Sequence, residues 1–144
     1  MKLIIINGPC GIGKSTTAAA LHAELPLSFL LDIDAQARFI THYREHPTER
    51  WELVSALSLG IIEACFKVHR DIIVDKAIYD TGLLDQFREL ARTYNADVHE
   101  YILWASKETV MARADARGWV EGGIFTPEKC EFFWEEINTL KNNR

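Results

Sequence analysis

The segment that most constrains the fold is residues 8–15, GPCGIGKS, which contains three glycines within six positions. It follows residues 3–6, an aliphatic run that is apolar on both faces and therefore predicts a buried parallel strand. It precedes residues 14–25, which are rich in helix formers and are followed by Pro26. Because glycine adopts backbone conformations that other residues avoid, the segment predicts a tight strand-to-helix loop.

The rest of the chain alternates predicted strands with predicted helices. Further buried strands are predicted at residues 28–31, 72–74 and 101–104. Helices are predicted at residues 35–46, 47–68, from Asp80 onward, 106–117 and 126–140. This alternation predicts an α/β fold, a parallel sheet with helices on both faces and right-handed crossovers. We expect one domain over residues 1–144, since no repeat or linker interrupts the pattern.

Composition narrows the partners that this chain can have. The formal net charge of −5 disfavours a broad nucleic-acid-binding face, because a phosphate backbone is repelled by an acidic surface. Three widely separated cysteines predict neither a disulfide framework nor a zinc site, and favour the reducing cytoplasm. No apolar run is long enough to span a membrane. The sequence leaves the oligomeric state open.

Residues 8–15 match the pattern G-x-x-x-x-G-K-[ST] in full, and this pattern predicts a polyphosphate-binding loop. Successive backbone N–H groups would point at the anion, and the helix that begins near Lys14 would add its positive N-terminal dipole. The Lys14 ammonium would reach the β- and γ-phosphates, while the Ser15 hydroxyl would ligate Mg²⁺. The predicted nucleotide contacts are Gly8, Gly11, Ile12, Gly13, Lys14, Ser15 and Thr16.

Carboxylates follow the second and third predicted strands, at the sheet edge where α/β proteins bind ligands. Asp75 closes an apolar run, and we predict that it joins Ser15 at the magnesium ion. Asp32 and Asp34 would share one face of a strand by alternation. We predict that Asp34 orients or deprotonates an acceptor hydroxyl, and that Arg38, four residues further on, contacts the substrate.

Two arginines follow the fourth predicted strand at helical spacing. Arg113 and Arg117 lie four residues apart and would therefore face the same side of a helix. Guanidinium groups beside a triphosphate neutralise the charge that shifts during phosphoryl transfer. Gly118 and the pair Gly122 and Gly123 would serve as hinges, so residues 113–126 predict a lid that excludes water.

Taken together, these segments resemble the small P-loop kinases of the adenylate, shikimate, gluconate and polynucleotide 5′-kinase type, which are AAA-type ATP-binding kinase-like proteins. The matched segments are GPCGIGKS at 8–15, LDID at 31–34, IIVD at 72–75 and RADARG at 113–118. The resemblance implies a three-layer P-loop NTPase fold, with ATP and Mg²⁺ bound and the acceptor between the second-strand loop and residues 35–70. It implies phosphate and magnesium contacts at Lys14 and Ser15, acceptor activation by Asp34, and lid roles for Arg113 and Arg117.

One departure from the family concerns the sheet. The family has strand order 2-3-1-4-5, but no apolar run follows Leu140, so we predict order 2-3-1-4 without a fifth strand. We predict that the protein transfers the γ-phosphate of ATP to a hydroxyl of a small-molecule acceptor. Three alternatives stay open: a non-catalytic ATP-binding module, a GTPase, although no Asn-Lys-x-Asp run is present, and a polynucleotide 5′-kinase. The sequence also predicts helix-face packing for Trp51 and a pocket position for Tyr43.

Overall fold

A computed structural model describes residues 1–119 and 126–143 of the chain. Its elements are β1 (Lys2–Asn7), α1 (Lys14–Glu24), β2 (Phe29–Asp32), α2 (Ile33–Ala37), α3 (Pro47–Lys67), β3 (Ile72–Asp75), α4 (Thr81–Thr93), β4 (Asp97–Ile102), α5 (Lys107–Arg117) and α6 (Pro127–Asn142). The longest helix, α3, has 21 residues, and no helix in the described ranges has the apolar content needed to cross a bilayer.

The four described strands form one parallel sheet in the order β2-β3-β1-β4, which confirms the predicted α/β P-loop fold and strand order. In the central pair, Ile5 of β1 lies opposite Val74 of β3. Both strands are almost completely buried, because each is covered by helices on both faces. The parallel arrangement brings the carboxyl ends of all four strands to one edge of the sheet.

Side chains of β1 alternate between two hydrophobic clusters. Leu3 and Ile5 face a large cluster that contains Val54 of α3 and Phe87 of α4. Ile4 and Ile6 face a smaller cluster beneath α1. Burying an aliphatic side chain of this size stabilises the fold by about 1.5–3 kcal/mol. The central strand is thereby fixed from both sides, and so is the loop that leaves its carboxyl end.

Helix ends agree with the predicted caps. The Ser106 hydroxyl accepts a hydrogen bond from the Thr109 amide at 3.2 Å, and the Thr126 hydroxyl accepts one from the Lys129 amide at 3.3 Å. Gly118 ends α5 with a φ of +87°. Capping residues satisfy amides that lack a partner inside the helix, which is why short local patterns located these ends correctly.

Two predicted elements were wrong in extent. The helix predicted at residues 35–46 ends at Ala37, because His42 has a φ of +55° and His46 precedes a proline, which disfavours helical geometry. The strand predicted at residues 101–104 is instead Asp97–Ile102. As an edge strand that is only partly covered, β4 mixes polar and apolar residues, so a search for apolar runs misses its first half.

Candidate active site

The loop at residues 8–13 runs from the end of β1 to the start of α1, with positive φ angles at all three of its glycines. Gly8 has a φ of +147°, and a Cβ placed there would lie 2.6 Å from the Leu103 carbonyl oxygen. Such a contact is too short for any side chain. The glycine is therefore required by the close approach of the segment that follows β4.

Amides at the start of α1 point to an anion site. No acceptor in the described ranges takes a hydrogen bond from the backbone N–H groups of residues 13–16, and the first bond of the helix runs from Thr17 N to Gly13 O at 3.0 Å. Free helix N-terminal amides attract anions, and the helix dipole adds to the attraction. The predicted contacts Gly13, Lys14, Ser15 and Thr16 thus have donors to offer. The Gly8 amide is instead bound to Asn7 Oδ1 at 2.8 Å.

The Lys14 side chain folds over this loop, where its Nζ atom donates to the Pro9 carbonyl oxygen at 2.8 Å. Burial lowers the pKa of Lys14, while the nearby carboxylates of Asp75 and Asp34 oppose that shift. A phosphate oxygen can replace the carbonyl as the partner of this ammonium. The position agrees with the predicted role of Lys14 at the β- and γ-phosphates, which stays a prediction.

Ser15 and Asp75 meet below the loop. Asp75 ends β3 and is 7% exposed as a residue, and its carboxyl takes a hydrogen bond from the Ser15 side chain. Burial raises the pKa of Asp75, and the Ser15 hydrogen bond only partly offsets this. Mg²⁺ is usually held by one or two carboxylates plus substrate phosphates, not by a cage of protein ligands. The pair fits that pattern, and the described ranges contain no larger His, Cys, Asp or Glu cluster.

Asn7 fixes the loop from below, and sequence reasoning missed it. Its Nδ2 atom donates to the Ile78 carbonyl at 2.6 Å, and its Oδ1 atom accepts from the amides of Ile78 and Gly8, both at 2.8 Å. The residue is 3% exposed. The sequence did contain a signal for this role, because Asn7 is the single polar residue at the end of an otherwise apolar strand. A buried side-chain amide needs hydrogen-bond partners, and the nearest candidates are the loops that follow the strands.

Asp34 occupies a different element from the one predicted. The strand β2 ends at Asp32, which caps α2 by accepting from the Ala35 amide at 3.1 Å, so the prediction that both carboxylates share a strand face was wrong. The Asp34 carboxylate lies in the first turn of α2 and accepts a hydrogen bond from Lys76 Nζ at 2.6 Å. Lys76, the residue after the magnesium candidate Asp75, therefore neutralises Asp34.

A cleft with a volume of about 700 Å³ extends from the phosphate loop to the connection between α2 and α3. It brings together the predicted site residues Lys14, Asp34, Arg38 and Arg117, and also Tyr43. Its wall also contains residues to which the sequence analysis gave no site role: Arg44, Arg50, Trp51, Lys76 and Phe133. Trp51 both packs against the core, as predicted, and faces this cleft.

The helix α5 lies against the phosphate loop. A Cβ at Gly11 would lie 3.7 Å from the Ala114 backbone nitrogen, so the helix and the loop are in contact. Arg117 lines the cleft, whereas Arg113, one turn earlier and also exposed, does not. Gly122 and Gly123, the predicted hinges, lie outside the described residues, as does most of the connection from α5 to α6.

Cys10 of the loop lies beside Cys130 of α6 in the hydrophobic cluster between α5 and α6. Burial raises the pKa of the Cys10 thiol to about 11, which Lys14 only partly offsets. All three cysteines are free, as the sequence predicts. Because the thiolate is the reactive form, the raised pKa makes Cys10 a poor nucleophile and a packing residue.

A glycine-rich loop with free helix N-terminal amides, a serine bonded to the buried Asp75 carboxyl and the strand order β2-β3-β1-β4 define a P-loop protein of the kinase-like class. Residues 3–128 match the family described as AAA domain, and the chain belongs to that family. No functionally curated protein sequence matches the chain.

Solved structures with this fold include several kinases and related proteins. The tunicamycin resistance protein of Deinococcus radiodurans has 25% identity and a TM-score of 0.63, covering 95% of this chain and 80% of that one. A chain of the Pnkp1/Rnl/Hen1 RNA repair complex has 21% identity and a TM-score of 0.69, with coverages of 99% and 46%. A gluconokinase from Sinorhizobium meliloti 1021 has 17% identity and a TM-score of 0.66, with coverages of 94% and 74%.

Proposed function

We propose that this protein transfers the γ-phosphate of ATP to a hydroxyl group of a small-molecule acceptor. The observation that carries the proposal is the cleft that joins Lys14 of the phosphate loop to Asp34 on the opposite wall. A module that only binds ATP has no need of a second compartment beside the γ-phosphate position. A volume of about 700 Å³ matches the pockets that hold small molecules.

In this proposal the loop amides and Lys14 hold the phosphates, while Ser15 and Asp75 supply oxygen ligands for Mg²⁺. The metal, when bound, would neutralise charge on the β- and γ-phosphate oxygens. Asp34 accepts the hydrogen of the acceptor hydroxyl once the acceptor displaces Lys76 from it. Arg117 reaches the transferring group from α5, with Arg113 one turn behind it.

The test is a screen for ADP release with metabolites, nucleosides and hydroxylated antibiotics, tunicamycin among them, as acceptors. Lys14→Ala should reduce ATP binding and turnover by roughly a hundredfold or more, because one preorganised donor at a transition-state oxyanion is worth that much. Lys129→Ala removes an exposed lysine of α6 and serves as the matched control. Unchanged ATP affinity in Lys14→Ala would refute the phosphate-loop assignment.

Asp34→Asn separates transfer from nucleotide binding. The variant should bind ATP as the wild type does and lose roughly a hundredfold or more in transfer rate, which is the usual contribution of a general base. A large loss of ATP affinity would instead place Asp34 at the metal. Comparison of ATP with GTP tests the GTPase alternative, and ATP binding without transfer to any acceptor would favour the non-catalytic module.

A polynucleotide 5′-kinase is the second candidate. The arginines in the cleft favour it, since phosphate groups of a strand are natural partners for guanidinium groups. The net charge of −5 opposes it, because a long polyanion is repelled by the rest of the surface. Transfer of labelled phosphate to a 5′-hydroxyl oligonucleotide measures this activity directly.

A further inference from the structure

On the acceptor side of the cleft, three arginines have no carboxylate partner within residues 1–119 and 126–143. Arg38, Arg44 and Arg50 line this side of the cleft, and Asp34, the one carboxylate among the described lining residues, is already paired with Lys76. Lys14 and Arg117 lie at the end of the cleft assigned to the nucleotide. Three guanidinium groups that no described carboxylate neutralises therefore face the acceptor compartment of a chain whose formal net charge is −5.

The partners of these arginines leave most of their donors free. Arg50 uses its Nη1 atom to donate to the Tyr43 carbonyl at 3.0 Å, and the Arg44 guanidinium lies over the Tyr43 ring, 5.4 Å from its centroid. No carboxylate in the described ranges pairs with Arg38, Arg44 or Arg50. A guanidinium has five N–H donors, so the compartment can bind an anion through paired hydrogen bonds.

We propose that the acceptor itself carries an anionic group, a phosphate or a carboxylate, which Arg38, Arg44 and Arg50 hold while a hydroxyl faces Asp34. This inference rests on the proposed phosphotransferase function and names the class of its acceptor. Arg38 follows Asp34 by one helical turn, at the C-cap of α2 and still in helical conformation. Residues at this spacing have Cβ atoms about 5–6 Å apart, so the hydroxyl and the anion are separated by only a few bonds.

The dimensions of the cleft favour a small acceptor over a nucleic acid strand. A volume of about 700 Å³ lies within the usual range of small-molecule pockets. Arg38, Arg44 and Arg50 all line this one cleft, whereas binding of a strand depends on a basic surface that follows its backbone. The proposed class of acceptor, a small molecule with an anionic group near a hydroxyl, includes sugar acids, sugar phosphates and mononucleotides.

The experiment compares acceptors in pairs that differ only in the anionic group: a nucleoside with its 3′-monophosphate, an aldose with its aldonic acid, and a polyol with its monophosphate. ADP release gives kcat/KM for each, and mass spectrometry identifies the product. The anionic member of at least one pair should be favoured by roughly ten- to hundredfold, the usual value of a charge-assisted hydrogen bond. Equal rates within every productive pair would overturn the proposal.

Variants locate the preference in the named arginines. Arg38→Gln and Arg44→Gln should each lower the preference for the anionic member by roughly tenfold and leave ATP affinity unchanged. Arg70→Gln, an exposed position before the amino end of β3, removes the same charge far from the cleft and should change neither quantity. A loss of equal size with the charged and neutral members would show that the arginines act only on structure.

A binding measurement decides the question even if no acceptor in the panel is phosphorylated. With the phosphate loop saturated by Mg·ADP, inorganic phosphate is titrated into the wild type and into the Arg38→Gln/Arg44→Gln double variant by calorimetry. Loss of phosphate binding in the variant supports the anion subsite, and equal binding in both overturns it. Failure of the wild type to bind Mg·ADP would instead refute the phosphotransferase function on which the inference rests.

A 5′-hydroxyl oligonucleotide is the last arm of the experiment. The proposal expects it to be no better an acceptor than the mononucleotide that carries the same hydroxyl and phosphate. A preference for the oligonucleotide of more than roughly tenfold, equivalent to a further charge-assisted contact outside the cleft, would overturn the assignment to small acceptors.

Discussion

Replacement of Asn7 tests how strongly the phosphate loop depends on one buried side chain. Asn7→Ala removes three hydrogen bonds of 2.6–2.8 Å and leaves the Ile78 carbonyl and the amides of Ile78 and Gly8 without these partners. At about 1 kcal/mol net for each bond, the free energy of unfolding should fall by about 3 kcal/mol. For a chain of this size the melting temperature should drop by about 6–12 °C.

Asn7→Asp keeps the shape of the side chain but replaces the Nδ2 hydrogen-bond donor with a carboxylate oxygen, which is an acceptor. A carboxylate oxygen would face the Ile78 carbonyl oxygen, so only the protonated acid could donate there, and the pKa in the folded variant should be raised above the unfolded value of about 3.9. A raised pKa means that the folded state binds the proton more tightly, so stability falls as the pH rises. The variant should therefore recover stability relative to the wild type between pH 7 and pH 4.

Thermal and urea unfolding of the nucleotide-free protein, each followed by circular dichroism, measure both effects. Asn95→Asp, at an exposed turn, makes the same chemical change and should alter stability by no more than about 0.5 kcal/mol at either pH. ATP affinity should also fall in Asn7→Ala, because the Gly8 amide loses its anchor. Unfolding of Asn7→Ala within about 1 kcal/mol of the wild type would refute the reasoning, since one typical hydrogen bond is worth that much.

Three further predictions concern single residues of the site. Gly8→Ala should destabilise the fold, because its Cβ would lie 2.6 Å from the Leu103 carbonyl oxygen. Gly60→Ala, inside α3 where a Cβ would meet no other atom within 4 Å, should instead stabilise the fold by up to about 1 kcal/mol, and urea midpoints compare the two variants. Asp75→Asn should weaken magnesium-dependent ATP binding by roughly tenfold or more, which titration calorimetry with and without Mg²⁺ checks. The stability of the nucleotide-free protein should not fall, because the substitution removes a buried carboxylate. Alkylation of Cys10 should be slow at pH 7 and rise about tenfold per pH unit up to about pH 10, since its pKa is about 11; a rate already constant at pH 9 would contradict that value.

Local patterns predicted most of the fold because the decisive interactions are local. The buried strands β1 and β3 are continuous apolar runs, and Ser106, Thr126 and Gly118 mark helix ends through contacts with near neighbours. The wrong boundaries lie where distant contacts decide the backbone, as in residues 38–46 and the edge strand β4. That residues 1–144 form a single domain stays a prediction.

The candidate site was less accessible from the sequence than the fold. The phosphate loop could be located because its function depends on consecutive residues, and the sheet order then brought Asp75 beside Ser15. The pairing of Lys76 with Asp34 joins residues 42 positions apart, and no spacing rule indicates it. The roles predicted for these residues, and for Arg113 and Arg117, stay predictions.

The two walls of the cleft differ in how they are constructed. The phosphate loop is tied to the segments that follow β3 and β4, through Asn7 and through Gly8. On the opposite wall, Arg38, Tyr43 and Arg44 come from the irregular connection between α2 and α3. This connection is not part of the sheet, so its sequence can change without the loss of hydrogen bonds between strands. Under the proposed function, grafting a different connection between the same two helices should therefore change which acceptors are used while leaving ATP affinity unchanged.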